Sequence, residues 1–340
     1  MTAAPARMRA ALRSRRLAVT ARLAIGLGVL VAVIATVGTG PLVHGILSVD
    51  ARSIAAALAL TAIATAAAAW RWCVIANRVG VDLTWRIAFG KYYQSQFLNT
   101  VIPGGVVGDV HRAVGDGLTA ADIACSARAV VLDRTVGQAV QVCLSLAVFA
   151  VVGTQFQGYL ASAVVIGLGL VAIGLAVVAA SSARARGVML REARQIREAL
   201  GSARASVQVV LASLVVIACH MGTFAVATAT VGVTVTPAGM LVLALVVLLG
   251  ASIPLNVGGW GPREGVAGWA FAVAGLGAAA GVAASTLFGV LTVVSVLPGA
   301  VAMVAFAARR RRAEHTEPAE RTERTEPTAS LSPRELETTP

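Results

Sequence analysis

Residues 206–231, SVQVVLASLVVIACHMGTFAVATATV, contain no Asp, Glu, Lys or Arg. A helix of this length can cross the hydrocarbon core of a bilayer, which needs about 20 apolar residues. Similar runs recur along the 340-residue chain, which is 57% hydrophobic and 13% charged, whereas about a quarter of the residues of a soluble domain are charged. The runs lack the polar–apolar alternation of barrel strands. We therefore predict an all-α, polytopic helical membrane protein with about six to eight transmembrane helices.

The apolar runs define a transmembrane domain, residues 23–307, between a basic N-terminal arm, residues 1–22, and a polar tail, residues 308–340. The tail is rich in Glu, Arg, Thr and Pro, and we expect it to be disordered. A basic link, residues 183–205, joins the halves 23–181 and 206–307. We expect the link to form an amphipathic helix on the inner leaflet, with an ordinary solvated loop as the alternative. The predicted spans are residues 23–40, 53–75, 127–152, 159–180, 206–231 and 282–307.

The net charge of +12 comes almost entirely from Arg, since 27 of the 28 basic residues are Arg and Lys91 is the exception. They cluster beside apolar runs and form no basic stripe with interleaved aromatic residues, so we expect no nucleic-acid partner. If successive spans cross the membrane in opposite directions, the loops on one side contain 20 basic residues, four of them in residues 71–91. The loops on the other side contain Arg52. The positive-inside rule then predicts a multi-pass protein of the cell membrane with both termini in the cytoplasm.

Two segments interrupt the apolar pattern with Pro and Gly at matching positions in the two halves: VIPGGVVGDVHR, residues 101–112, and SIPLNVGGWGPRE, residues 252–264. Such a pair of interrupted segments indicates a transporter site. Backbone groups freed within a membrane must be covered by protein or must line a wet cavity. We predict re-entrant hairpins that enter from opposite faces as an inverted repeat, with two full crossings per segment as the alternative.

Arg112 and Arg263 follow the two breaks, where free N–H groups at helix ends attract anions. Arg binds phosphate or carboxylate through a bidentate fork, so these arginines are candidate ligands of a lipid phosphate. A buried charge is costly, which predicts carboxylates that pair with the arginines or couple to protons. The alternative is structural, with helix-end anchors and an ion pair that closes a turn. The predicted phosphate-binding set is Arg112, Arg263, Arg134, Gly104, Gly105, Gly258 and Gly259, the carboxylates are Asp109, Asp133 and Glu264, and the site-forming amides are Asn99 and Asn256.

The sequence contains no motif of a P-loop ATPase, of an HExxH metalloprotease or of a GxSxG hydrolase. Its four cysteines have no CxxC spacing, which favours packing roles over a zinc site or a disulfide framework. We therefore expect a protein without a catalytic site, a metal or a cofactor.

Three segments together resemble the signatures of the lysylphosphatidylglycerol synthase transmembrane region family: FLNTVIPGGVVGDVHR, ARAVVLDRTVG and IPLNVGGWGPREG. The resemblance covers about residues 15–307 in order and spacing. Asp133 stands where the family more usually has Glu, and Pro262 is an unusual residue for the third segment. In full-length synthases this region moves aminoacylated phosphatidylglycerol across the bilayer, and a separate soluble domain makes that lipid. Related stand-alone members are thought to act on polyprenyl-phosphate-linked sugars.

The resemblance implies a lipid-handling membrane protein, and the absence of the soluble domain from this sequence implies that it is not a synthase. We expect a flippase or transporter of an anionic phospholipid or a polyprenyl-phosphate-linked lipid, with the headgroup phosphate bound between the two breaks. Two alternatives remain: a membrane-embedded transferase acting on lipid phosphates, and a scaffold partner of a cell-envelope glycosyltransferase.

Overall fold

The computed structural model describes residue 24 and residues 27–102, 105–114, 120–152, 187, 201–252 and 260–323. These residues form ten helices and no strand. The helices are α1 Leu27–Val37, α2 Gly40–Leu47, α3 Ala51–Val79, α4 Trp85–Val101, α5 Val107–Ala113, α6 Ala120–Val152, α7 Ala203–Thr230, α8 Pro237–Ala251, α9 Pro262–Val273 and α10 Ala278–Glu323.

Four of these helices, α3, α6, α7 and α10, are long and apolar enough to cross a membrane, and α1 with α2 makes a fifth if the bent pair is counted as one span. The prediction of a polytopic helical membrane protein is therefore confirmed. The predicted span 159–180, most of the basic link and the N-terminal arm lie outside the described residues.

The structure corrects two of the predicted boundaries. The first span ends at Val37, and after Gly38, which has a φ of +81°, the chain turns by 100° into α2. Pro41 lies in the first turn of α2, where backbone N–H groups have no partner within the helix, so the N–H that proline lacks is not needed there. At the other end, α10 continues past residue 307, the predicted end of the last span, to Glu323. The disorder expected for the tail, residues 308–340, stays a prediction.

The last helix, α10, organises the packing, since α2, α3, α4, α7 and α9 all contact it. Its glycines allow close approach: a Cβ on Gly281 would collide with the carbonyl oxygen of Ala267, and one on Gly299 with that of Tyr93. Small residues at such crossings are how membrane helices gain contact area without a hydrophobic driving force between them. The α3–α7 pair forms the other extensive contact of the bundle.

Both breaks reverse the chain. A Cβ on Gly108 in α5 would overlap the carbonyl oxygen of Ser95 in α4, although residues 13 apart in one straight helix would lie about 20 Å apart. At the second break, α9 packs against α8, where a Cβ on Gly250 would lie 2.8 Å from the side chain of Val266. Two helices therefore pack against each other at each break, which fits re-entrant hairpins and pairs of full crossings alike. The inverted repeat stays a prediction.

Candidate functional site

The carboxylate of Asp133, on α6, lies at the centre of a buried ionic network and is 0% exposed. Its Oδ1 accepts a hydrogen bond from Arg71 Nε at 2.7 Å. Its Oδ2 accepts from Arg112 Nη1 at 3.2 Å and from the Tyr92 hydroxyl at 3.3 Å. These donors come from α3, α5 and α4, so one carboxylate ties four helices together. A buried carboxylate is tolerated only with such partners, because an unpaired ion loses several kcal/mol of hydration.

Arg71 was assigned by sequence to the basic residues of a cytoplasmic link, and that assignment is wrong. Its side chain is buried in α3, and its Nη1 also donates to Ser213 Oγ of α7 at 3.0 Å. The guanidinium lies over Gly137 of α6, where a Cβ would come within 2.7 Å of Nη1. The available signal was its place within the apolar run AAAAWRWC, because charges inside membrane segments are functional candidates by default.

Arg112 projects from the short helix α5, which packs closely against α4. Beside it, Asn99 of α4 accepts a hydrogen bond from the Gly108 N–H at 2.7 Å and so binds a backbone group of the broken segment. The guanidinium of Arg112 bonds Asp109 Oδ1 at 2.9 Å. It also lies over the rings of Trp72 and Tyr92, with Cζ 4.9 Å and 4.3 Å from their centroids. Aromatic faces stabilise a desolvated cation by about 2 kcal/mol.

Two buried donors in this region have no acceptor among the described residues: Arg112 Nε and Trp72 Nε1. Buried N–H groups are nearly always bonded to protein, water or a ligand. The two donors belong to side chains in contact with each other, since Arg112 Cζ lies 4.9 Å from the centroid of the Trp72 ring.

Arg134 is the member of the network that reaches the surface, with 53% of its side chain exposed. Its Nη2 lies 2.6 Å from Asp109 Oδ2 and 3.5 Å from the carbonyl oxygen of Gly105, a residue with a φ of +59°. We call the set Arg71, Asp109, Arg112, Asp133 and Arg134 the Asp133 cluster. Among the described residues, three guanidinium groups face two carboxylates, so this set carries one more positive than negative charge.

A second ionic set, the Arg263–Glu264 pair, lies at the start of α9. Glu264 is 0% exposed, and its Oε1 accepts from Arg263 Nη2 at 2.6 Å and Nε at 2.9 Å. Its Oε2 accepts from the N–H of Gly261, which has a φ of +114°, at 2.7 Å. Arg263 also donates to Ser285 of α10 at 3.2 Å and lies beside Gly289, where a Cβ would overlap its Nη2. This pair is neutral.

In the described part of the chain the two ionic sets share no bonded partner, because Arg112 and Arg263 bond different carboxylates. The arginines expected to share one headgroup thus each hold their own carboxylates. Helix α6 contacts both breaks. Its Arg134 donates to the carbonyl oxygen of Gly105 in the first break, and its Gln141 Nε2 lies 3.4 Å from the Oγ of Ser252, at the start of the second. Seven residues of helix separate these contacts by about 10 Å. Gly104, Gly258, Gly259 and Asn256 lie outside the described residues.

Within the described ranges, no group of three or more His, Cys, Asp or Glu side chains is arranged to hold a metal ion. Beside the Asp133 cluster, the groups left without a partner among the described residues, Arg112 Nε and Trp72 Nε1, are both hydrogen-bond donors, so a group that bonded them would have to be an acceptor.

The sequence model described as the lysylphosphatidylglycerol synthase TM region matches residues 19–299, which is most of the chain and includes both breaks and both ionic sets. No curated protein and no solved structure matches the chain. The protein is a multi-pass membrane protein with a function related to membrane lipids, and it belongs to the lysylphosphatidylglycerol synthase transmembrane region family.

Proposed function

We propose that the protein is a flippase or transporter that moves a lipid with an anionic phosphate headgroup across the cell membrane. The observation that supports this proposal is the surplus positive charge of the Asp133 cluster, next to two buried N–H donors without an acceptor. Among the described residues the buried arginines Arg71 and Arg112 are balanced by Asp109 and Asp133, so the surplus charge belongs to Arg134, whose guanidinium is half exposed and open to a ligand. A bound phosphate supplies both the missing negative charge and the missing acceptor oxygens.

In this proposal the headgroup first meets Arg134, because that guanidinium is half exposed whereas Arg112 is buried. The phosphate then competes with Asp109, which Arg134 and Arg112 share. The acyl or prenyl tails stay in the bilayer while the headgroup crosses the polar region. We found no ATP-binding motif in the sequence, so the driving force is a gradient, either of the lipid itself or of protons taken up by a carboxylate. Both termini face the cytoplasm, as the distribution of Arg indicates.

The test is lipid movement in liposomes that contain the purified protein. Labelled phosphatidylglycerol and a labelled polyprenyl phosphate are the two substrates, and the variant is Arg112→Gln. Charge-assisted hydrogen bonds contribute about 1.5–3 kcal/mol, so we expect the variant to move the preferred lipid roughly ten to a hundred times more slowly. The matched control is Arg78→Gln, an arginine at the exposed end of α3, which should leave the rate unchanged.

Equal rates for the parent and Arg112→Gln, with both folded, would remove the Asp133 cluster from the proposed function. The same samples distinguish the alternatives. Mass spectrometry that finds a new lipid product would indicate a membrane-embedded transferase. A parent protein that moves no lipid but copurifies with a cell-envelope glycosyltransferase would indicate a scaffold.

A further inference from the structure

Helix α6 is the least covered of the four long spans. Only 11% of its most apolar window is buried, against 33–39% for α3, α7 and α10. Its surface is nevertheless divided. Ala139, Cys143, Leu146 and Ala150 are exposed and apolar, as expected for a face against lipid tails. Arg134, Gln138 and Gln141 lie on another side at i, i+4 and i+7, which places them one above another.

This second face is polar over two turns of α6, and we call it the α6 stripe: Arg134, Gln138 and Gln141. Arg134 and Gln138 are exposed, and Gln141 is half-buried. Polar side chains within a span almost always face a bundle interior or a wet cavity. Arg134 and Gln138 are exposed one turn apart on α6. We therefore do not expect lipid tails to cover this face of the helix.

The α6 stripe also has defined ends. At one end Arg134 bonds Asp109 of the Asp133 cluster and lies against Gly105 of the first break. At the other end Gln141 lies against Ser252, an exposed residue at the end of α8 that precedes the second break. The stripe thus connects the two places where the backbone reverses, over about 10 Å, which is a third of the hydrocarbon thickness of about 30 Å.

We propose that the α6 stripe is the path along which the phosphate headgroup passes between the two breaks, with Gln138 and Gln141 as positioning donors beyond Arg134. This inference rests on the proposed function and adds the route to it. Each glutamine amide offers two N–H donors and no charge. It therefore binds a phosphate oxygen without holding it as an arginine does, which suits a site that must release its ligand. The occupant is a lipid headgroup because the stripe begins at the cationic cluster and borders the lipid-facing side of the same helix.

The main experiment uses the double variant Gln138→Leu/Gln141→Leu, assayed in liposomes of phosphatidylcholine and phosphatidylglycerol with fluorescent phosphatidylglycerol as the probe. We expect the rate of lipid movement to fall about tenfold, the size expected for two lost hydrogen bonds in a membrane. The matched control is Gln208→Leu, the same substitution on α7, which should keep the parent rate. If the parent moves lipid and the double variant moves it equally fast, the path is wrong and the proposed function stands. If the parent moves neither fluorescent phosphatidylglycerol nor a labelled polyprenyl phosphate, both fail.

A second measurement reports on the face itself. Gln138→Cys is made in a chain that keeps Cys143 and has Cys73, Cys125 and Cys219 replaced by Ala. A membrane-impermeant thiol reagent should label position 138 and leave Cys143 unlabelled, and phosphatidylglycerol should slow the labelling at 138. Equal labelling at both positions, or none at 138, would overturn the inference. Cross-linking of position 138 between two copies of the chain would instead identify the α6 stripe as a surface between subunits.

Discussion

The Asp133 cluster and the Arg263–Glu264 pair both bury arginine among membrane helices with the same three devices. Each set has an arginine bonded to a carboxylate that is 0% exposed, an arginine over aromatic rings, and an arginine beside a glycine of a neighbouring helix. They differ in charge balance and in accessibility. The cluster has three arginines for two carboxylates and reaches the surface through Arg134, whereas the pair is neutral and enclosed.

The difference suits the Asp133 cluster to binding a ligand and the Arg263–Glu264 pair to fixing the backbone. Glu264 binds Arg263, Ser285 and the N–H of Gly261, and so fixes the start of α9 after the second break. At the Asp133 cluster, by contrast, Arg112 Nε and the neighbouring Trp72 Nε1 have no acceptor within the part of the chain that the structure describes. We interpret the pair as structural and the cluster as the anion site. The sequence prediction that Arg263 binds the headgroup is the competing interpretation.

The largest effect should come from removing the central carboxylate. Asp133→Ala leaves both Arg71 and Arg112 without their shared partner, while Glu264→Ala leaves one arginine unpaired. Breaking a buried ion pair from one side costs about 3–5 kcal/mol, so we expect the free energy of unfolding to fall by about that much for Glu264→Ala and by more for Asp133→Ala. Equilibrium unfolding in mixed micelles measures it.

The control is Asp82→Ala, an exposed carboxylate between α3 and α4, which should change the free energy of unfolding by less than about 0.5 kcal/mol. A smaller loss for Asp133→Ala than for Glu264→Ala would show that Asp133 is not the centre of the network. Asp133→Glu, which restores the charge, should recover part of the loss.

The glycines beside the arginines give the next largest effect. Gly137→Ala and Gly289→Ala each place a methyl group where a guanidinium lies. The arginines are held by their carboxylates, so relief requires the ion pairs to lengthen. We expect the free energy of unfolding to fall by about 1–3 kcal/mol, as for other overpacked sites. Thermal unfolding in detergent is the measurement.

Gly90→Ala on α4 is the matched control, because a Cβ there meets nothing within 4 Å. The control should be stabilised by about 1 kcal/mol, the helix preference of Ala over Gly. Destabilisation at Gly90 equal to that at Gly137 and Gly289 would mean that the glycines do not act through the arginines.

Sequence reasoning identified the spans because an apolar run needs no knowledge of its neighbours to indicate a membrane helix. It named Asp109, Arg112, Asp133 and Arg134 because charges beside a break or within a span are rare. The sequence could not predict which arginine pairs with which carboxylate. Arg71 and Asp133 are 62 residues apart in the chain, and only the packing of α3 against α6 and α7 brings them together. Arg71 lies near the predicted end of its span, where arginine ordinarily anchors a helix at the interface.

A smaller effect on stability is expected from Arg134→Gln, since the partly exposed pair with Asp109 contributes at most about 1 kcal/mol. Lipid movement should nevertheless slow, because this arginine begins the α6 stripe and supplies the surplus charge. Thermal unfolding and liposome transport are measured on the same preparation. A stability loss as large as that of Asp133→Ala, or an unchanged transport rate, would contradict the role given to Arg134.

The smallest effect should come from removing the neutral pair as a whole. In Arg263→Met/Glu264→Gln no charge is left unpaired, and the amide oxygen of Gln can still accept from the Gly261 N–H. Replacing both members of a buried ion pair is often neutral for stability, whereas Arg263→Met alone strands Glu264 and should be destabilising. We expect the double variant to fold and to move lipid within about twofold of the parent, a change below 0.5 kcal/mol at RT of about 0.6 kcal/mol. Arg112→Gln/Asp109→Asn, the corresponding double variant of the Asp133 cluster, keeps the Arg71–Asp133 pair and should remain slow. If the Arg263 double variant folds as well as the parent but loses transport, then Arg263 contacts the headgroup and the two sets act together, as the sequence alone suggested.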